Sequence, residues 1–137
     1  MDKPGNAFHA PDESGGKRLW VILTRPCPDL PRRVLIANIS KHRPYKDQTC
    51  RLAAGCHPVL PAAGVVMYDF AQIARVKDIK DRHYEGVYKS GGPMDTVVLR
   101  AMQDSVAVSP RCPEDCRLFF LENDPRQGGP VSPPAGP

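Results

Sequence analysis

Leu19-Trp20-Val21-Ile22-Leu23-Thr24 and Arg33-Val34-Leu35-Ile36-Ala37-Asn38-Ile39-Ser40 are the two stretches that decide the fold, separated by a loop carrying Pro26, Pro28 and Pro31. Both are rich in β-branched residues. The first is nearly all apolar, the pattern of a strand covered on both faces. Upstream, Pro4 to Pro11 reads as a short edge strand, because proline cannot sit in a central ladder, and Asp12 to Gly16 is a polar, glycine-rich loop. Downstream, Lys41 to Asp47 is a basic turn centred on Arg43-Pro44-Tyr45. Thr49 to Leu52 is an alternating third strand. Val65 to Tyr68 is a fourth, and Ala71 to Val76 continues it past a bend at Asp69-Phe70. A helix is predicted near 94–107, with Pro93 and Asp95 at its start and Val97, Val98, Ala101 and Met102 on one face. It should stop before Pro110. Leu118 to Leu121 reads as either a last strand or a packing anchor. Several short strands plus one C-terminal helix predict a small, mainly β barrel with an α cap, an α+β domain.

The chain has 137 residues, 41% hydrophobic and 25% charged, which suits one domain with its own core. That domain is expected over 1–124. Residues 125–137 are dominated by proline and glycine and are expected to be a disordered tail. The apolar stretch from Leu52 to Met67 is broken by Gly55, His57, Pro58, Pro61 and Gly64, so no membrane-spanning helix is expected there. The N-terminus lacks the apolar segment of a signal peptide, which makes the cytoplasm the default location. Cys27, Cys50, Cys56, Cys112 and Cys116 are odd in number, favouring reduced thiols. A zinc site on Cys50, Cys56, His57, Cys112 and Cys116 has enough ligands on paper. Its C-x5-C and C-x3-C spacings depart from the tight knuckles of structural zinc, so neither metal nor cofactor is expected.

Charge is uneven. Residues 17–50 hold eight Lys or Arg against Asp29 and Asp47, a local excess of +6, while the remainder sums to −2. A field of that sign attracts phosphate-bearing partners. The bland reading is a solvated, arginine-rich surface. Lys17, Arg32, Arg33, Lys41, His42 and Arg43 are the candidate nucleic-acid contacts.

A Pro4-Gly5-x-x-Phe8 start is followed by a polar loop, the basic pair Lys17-Arg18 entering a strand, a proline-rich loop and a strand ending in Ser40. This order resembles the PemK/MazF-like toxins over about residues 3–76, extending to about 120 with the terminal helix. The blocks Asp47-Gln48-Thr49-Cys50 and Gly55-Cys56-His57-Pro58 are also similar to uncharacterised bacterial proteins, a likeness that carries no function. The toxin resemblance implies an SH3-like barrel, a homodimer, an antitoxin-like partner and metal-independent endoribonuclease (hydrolase) action on single-stranded RNA. By position it implies Arg18 as catalytic arginine and Ser40 as catalytic hydroxyl. An arginine fork suits the charge that builds on a phosphorane, and a hydroxyl adds a neutral donor. Three positions depart from the family pattern: Leu19 stands where it has proline after the arginine, Asn6 where it has an acid, and Ser40 where it has threonine.

His57 and His42 form a second constellation, since histidine titrates near neutrality and a pair can serve as base and acid. His57 in its Gly-Cys-His-Pro turn could equally bond the local backbone. Trp20, Tyr45 and Tyr68 are ring candidates for base stacking, with Trp20 read as core from its mid-strand position. Two classes therefore stay open. One is a toxin-like RNA-binding protein with endoribonuclease activity. The other is a non-catalytic interaction module that binds a protein partner or nucleic acid.

Overall fold

The computed structural model describes residues 2–127. Six strands form one antiparallel sheet: β1 (Asn6–Pro11), β2 (Lys17–Ile22), β3 (Arg33–Lys41), β4 (Arg51–Leu52), β5 (Gly64–Arg75) and β6 (Lys89–Pro93). Their order across the curled sheet is β4-β5-β3-β2-β1-β6. Three helices complete it: α1 (Val76–Tyr84), α2 (Thr96–Val106) and α3 (Glu114–Asn123). The two stretches that decide the fold lie side by side at its centre, with Leu19 opposite Ile39 and Trp20 opposite Asn38. The fold is thus mainly β in a small α+β arrangement. Among the described residues, no helix is long and apolar enough to cross a membrane.

Side chains alternate across a strand, and here the alternation sorts the molecule into two faces. On one, Leu19, Val21, Leu35, Ala37, Ile39, Val66 and Tyr68 pack under α2 and α3 through Met102, Val106, Cys116, Phe119 and Phe120. The Tyr68 hydroxyl donates to the Met102 carbonyl at 2.6 Å, and the Gln103 amide donates to the Leu23 carbonyl at 2.9 Å. On the other face, Phe8, Ile22, Val34 and Ile36 pack under α1 through Val76 and Ile79. Helix α1 covers only that end of the sheet.

Helix α2 starts where an acidic cap was expected: the Asp95 carboxylate accepts from Val97 and Val98 N–H. Parts of the sequence reading are overturned. The charged stretch 77–92 holds β6 and most of α1, and β1, read as an edge strand, is paired on both sides, by β2 and by β6, which takes the edge. Leu118 to Leu121 is the middle of α3 rather than a strand, and its Phe119 and Phe120 are the packing anchor. The bend at Asp69-Phe70 is, as expected, an irregularity inside one continuous strand, β5, against Ile36 and Asn38. All five cysteines are free thiols. Four are buried and Cys56 is half-buried; Cys50 is core, and burial pushes the Cys116 thiol up to about 12. Of the expected tail, residues 128–137 lie outside the described residues. Within the remainder, Arg126 donates to the Asp124 carboxylate and lies over the Phe120 ring at 5.6 Å.

Gly5 closes the sheet's N-terminal turn at φ +90°. Its N–H donates to the Ile22 carbonyl at 2.7 Å, and its carbonyl accepts from Met94 N–H at 2.8 Å. A Cβ would lie 3.0 Å from Leu99 Cδ2. Gly5→Ala is therefore expected to cost about 1–2 kcal/mol from the backbone conformation alone. Urea unfolding checks this; an unchanged midpoint would mean the turn yields freely.

Candidate functional site

The far end of the face that α1 leaves uncovered carries the polar cluster. Arg18 and Ser40 are 22 residues apart in sequence. The antiparallel β2–β3 register places them on neighbouring strands, one pair beyond Leu19 and Ile39. The Arg18 guanidinium Nη1 donates to Ser40 Oγ at 2.9 Å. A third residue joins them: Lys46 Nζ donates to the same oxygen at 2.7 Å and to the Lys41 carbonyl at 3.0 Å. With its oxygen accepting from two cations, the Ser40 hydroxyl has its own proton free to donate outward.

The cluster's charge is only partly balanced. Asp12 Oδ2 sits 3.5 Å from Arg18 Nε. Hydrogen bonds from the Ser14 side chain and from Ser14 and Gly16 N–H keep Asp12 ionised below the usual carboxylate range. Burial, followed by the like charges of Arg18 and Arg43, pushes Lys46 below the usual lysine range. Two cations held on one hydroxyl repel, and an anion placed between them would relieve that repulsion.

The loop that presents Lys46 is fixed at both ends. Gln48 Nε2 donates to the Arg43 and Lys46 carbonyls at 2.8 and 2.7 Å, and its Oε1 lies 2.7 Å from His42 Nε2. Asp47 is buried and accepts from Ser109 Oγ, Thr49 Oγ1 and Thr49 N–H. Arg111 Nη2 donates to the Tyr45 carbonyl at 3.1 Å. The turn between α2 and α3 thus clamps the basic loop.

Beside the cluster lies an open cleft of about 710 Å³, whose lining includes Arg18, Trp20, Asn38, Phe70 and Gln72. Trp20 is half-buried there, rather than fully in the core as its position suggested. Asn38 is 5% exposed, and its Oδ1 has no hydrogen-bond partner. Phe70 stands 57% exposed where the β5 bulge turns it outward.

The structure divides the other sequence candidates. Lys41, His42 and Arg43 adjoin Ser40 at the same end of β3, and Lys17 is exposed beside Arg18 on the opposite side of β2. Arg32 and Arg33 lie at the other end of β3, about 24 Å away along the strand. Arg33 is paired with Asp29 at 3.2 Å and packed over Phe119. His57 is buried, its Nδ1 accepting from Val59 N–H at 3.2 Å, the local backbone role. Neither His57 nor His42 hydrogen-bonds to Arg18, Ser40 or Lys46. Lys46 belongs to the basic segment 17–50 and carries no separate signal in the sequence. Tyr45 is exposed, and Tyr68 is fully buried in the core, so it offers no ring for stacking. Among the described residues, no group of three or more His, Cys, Asp or Glu is placed to hold a metal ion.

No protein-family model matches this chain, and no curated protein matches it.

Proposed function

We propose that the protein is a toxin-like, single-stranded RNA-binding domain of the PemK/MazF type, an SH3-like barrel relative with endoribonuclease activity. The observation that carries this reading is the direct Arg18–Ser40 hydrogen bond at the rim of an open cleft. The two positions implied by the family resemblance form one cluster, with Lys46 added. The cluster offers a phosphate two cations and a free hydroxyl donor. In the proposed step the ribose 2′-oxygen attacks the adjacent phosphorus and loses its proton to solvent. The P–O5′ bond breaks, and the 5′-oxygen takes up a proton. Arg18 and Lys46 balance the growing charge on the non-bridging oxygens while Ser40 donates one hydrogen bond. The ends would be a 2′,3′-cyclic phosphate and a 5′-hydroxyl. An acidic antitoxin-like segment covering the basic rim, and a homodimer, belong to the same proposal.

A second reading, an RNA-binding module that does not cut, is favoured by the absence of any histidine bonded to the cluster. Single-turnover incubation of a mixed-sequence RNA in EDTA, with mass analysis of the ends, separates the two. Cyclic-phosphate ends are expected. RNA that binds but stays intact selects the second reading, and no binding at low salt removes both. Binding should weaken steeply with salt, by roughly 0.7 in log affinity per log salt for each phosphate contacted. Lys41→Glu with Arg43→Glu should abolish it, whereas Arg32→Glu with Arg33→Glu should leave most of it.

A further inference from the structure

We infer that the cleft beside the cluster is a nucleobase subsite, taking the base next to the phosphate held by Arg18, Ser40 and Lys46, with a preference for bases that carry an exocyclic amine. The inference rests on the phosphate reading above and adds to it what the cleft recognises.

Three observations carry it. Two aromatic rings, Trp20 and Phe70, line one cleft, and Phe70 is more than half exposed without a core role. Rings offered to solvent beside a cationic cluster are the usual platform for unpaired bases, because every base has a π face. Second, Asn38 sits in the cleft wall directly opposite Trp20 in the β2–β3 register, 95% removed from solvent. A buried amide oxygen without a partner is costly in a folded protein and marks a place where a ligand donor is wanted. Third, Gln72 and Glu13 share the lining, while the Asp12 carboxylate beside them is already engaged by Arg18, Ser14 and Gly16. With Asn38 Oδ1 they supply acceptors, which suits the N–H edge of adenine, cytosine or guanine and offers less to uracil.

The geometry also joins the two subsites. Arg18 and Trp20 project from the same face of β2, two residues apart, and Ser40 and Asn38 do the same on β3. A phosphate on the first pair therefore leaves its base about 7 Å away at the second pair, the reach of one nucleotide.

Trp20 is the chain's one tryptophan, so its emission reports on this cleft alone. The full chain is titrated with short oligonucleotides of A, C, G or U, and with an abasic oligonucleotide of the same phosphate count. Base-bearing strands should quench Trp20 and bind at least fivefold tighter than the abasic strand, with U weakest. Phe70→Ala and Gln72→Ala, both at exposed positions, should bring the base-bearing strands down toward the abasic affinity. Asn38→Ser should erase the disfavour for U; the two exposed variants keep the test sound if it folds poorly. Equal binding of base-bearing and abasic strands without quenching would overturn the base subsite while leaving the phosphate site standing. An abasic strand that fails to bind while base-bearing strands do would leave the subsite standing and remove the phosphate reading. Failure of every strand to bind would remove both.

Discussion

Arg18→Ala is expected to lower RNA cleavage about 10²–10³-fold while lowering RNA affinity far less. The loss of one donor aimed at developing charge typically costs that much in rate. Arg18 meets the condition because its guanidinium is held against Ser40 Oγ and steadied by Asp12, so its donors are in place before substrate arrives. Lys41 and Arg43 lie at the rim and would contact ground state and transition state alike, so their loss should appear chiefly in binding. Ser40→Ala removes one neutral hydrogen bond, on the order of 1 kcal/mol or about fivefold. It also frees Arg18 and Lys46 from their shared acceptor, so the effect should exceed that figure if positioning matters. Single-turnover rates beside equilibrium affinities for the three variants decide it. An Arg18→Ala protein cutting at the wild-type rate would reject this site.

The second large effect is on stability. Asp47→Ala is expected to cost about 3 kcal/mol, since hydrogen bonds to a charged group contribute about 1.5–3 kcal/mol each and do not sum fully. The Asp47 carboxylate is buried and accepts three such bonds, two from Thr49 and one from Ser109. Burial alone would raise its pKa. The bonds from Ser109 and Thr49, with the Arg111 charge, outweigh that and hold it below the ordinary 3.8. A carboxyl depressed on folding contributes stability in full above its unfolded value and loses it as pH falls through the folded one. The Asp47 contribution should therefore be intact at neutral pH, begin to fall once pH drops below about 3.8, and vanish only below the still lower folded value. Urea unfolding of wild type and Asp47→Ala at pH 7 and pH 3 tests the sign: the gap between them should shrink in acid. A gap that widened there would refute this account of the loop. Because Asp47 is the neighbour of Lys46, the variant should also cut more slowly.

The central strands and the start of α2 were legible because their signals are local: β-branched runs bounded by proline, and an acidic cap. The buried face of α2 was not: of the expected stripe, Val97 and Ala101 are exposed, and beside Met102 the helix buries Gln103, Ser105 and Val106 instead. Nor was helix α1. It buries only Val76 and Ile79 and otherwise relies on ion pairs such as Arg75–Asp78 and Lys77–Asp81, which read as a solvated charge run. Strand β6, Lys-Ser-Gly-Gly-Pro, contains no strand former and is held by pairing with β1. In α3 the run Leu118 to Leu121 is too short to show its period. Only Cys116, Phe119, Phe120 and Asn123 together mark the buried stripe. At the site, Arg18 and Ser40 were singled out by their places at strand ends, and the β2–β3 register is what brings them together. Lys46 depends on how the 41–50 loop folds back, and Phe70 on a bulge, and neither feature has a local signature. Trp20 read as core from its mid-strand position, and it does pack against the buried layer that includes Phe8, Ile22 and Ile36. It stays half-buried because α1 does not reach across its end of that face.

That short reach has an evolutionary consequence. Along β2, β3 and β5, alternate positions answer to different selective demands. Leu19, Val21, Ala37 and Ile39 hold the layer beneath α2 and α3, whereas Arg18, Gln72 and Phe70 belong to no core cluster. Substitutions at the second set leave the scaffold's packing intact. A lineage of such proteins can therefore change what this face carries, and what it meets, without first evolving a new fold.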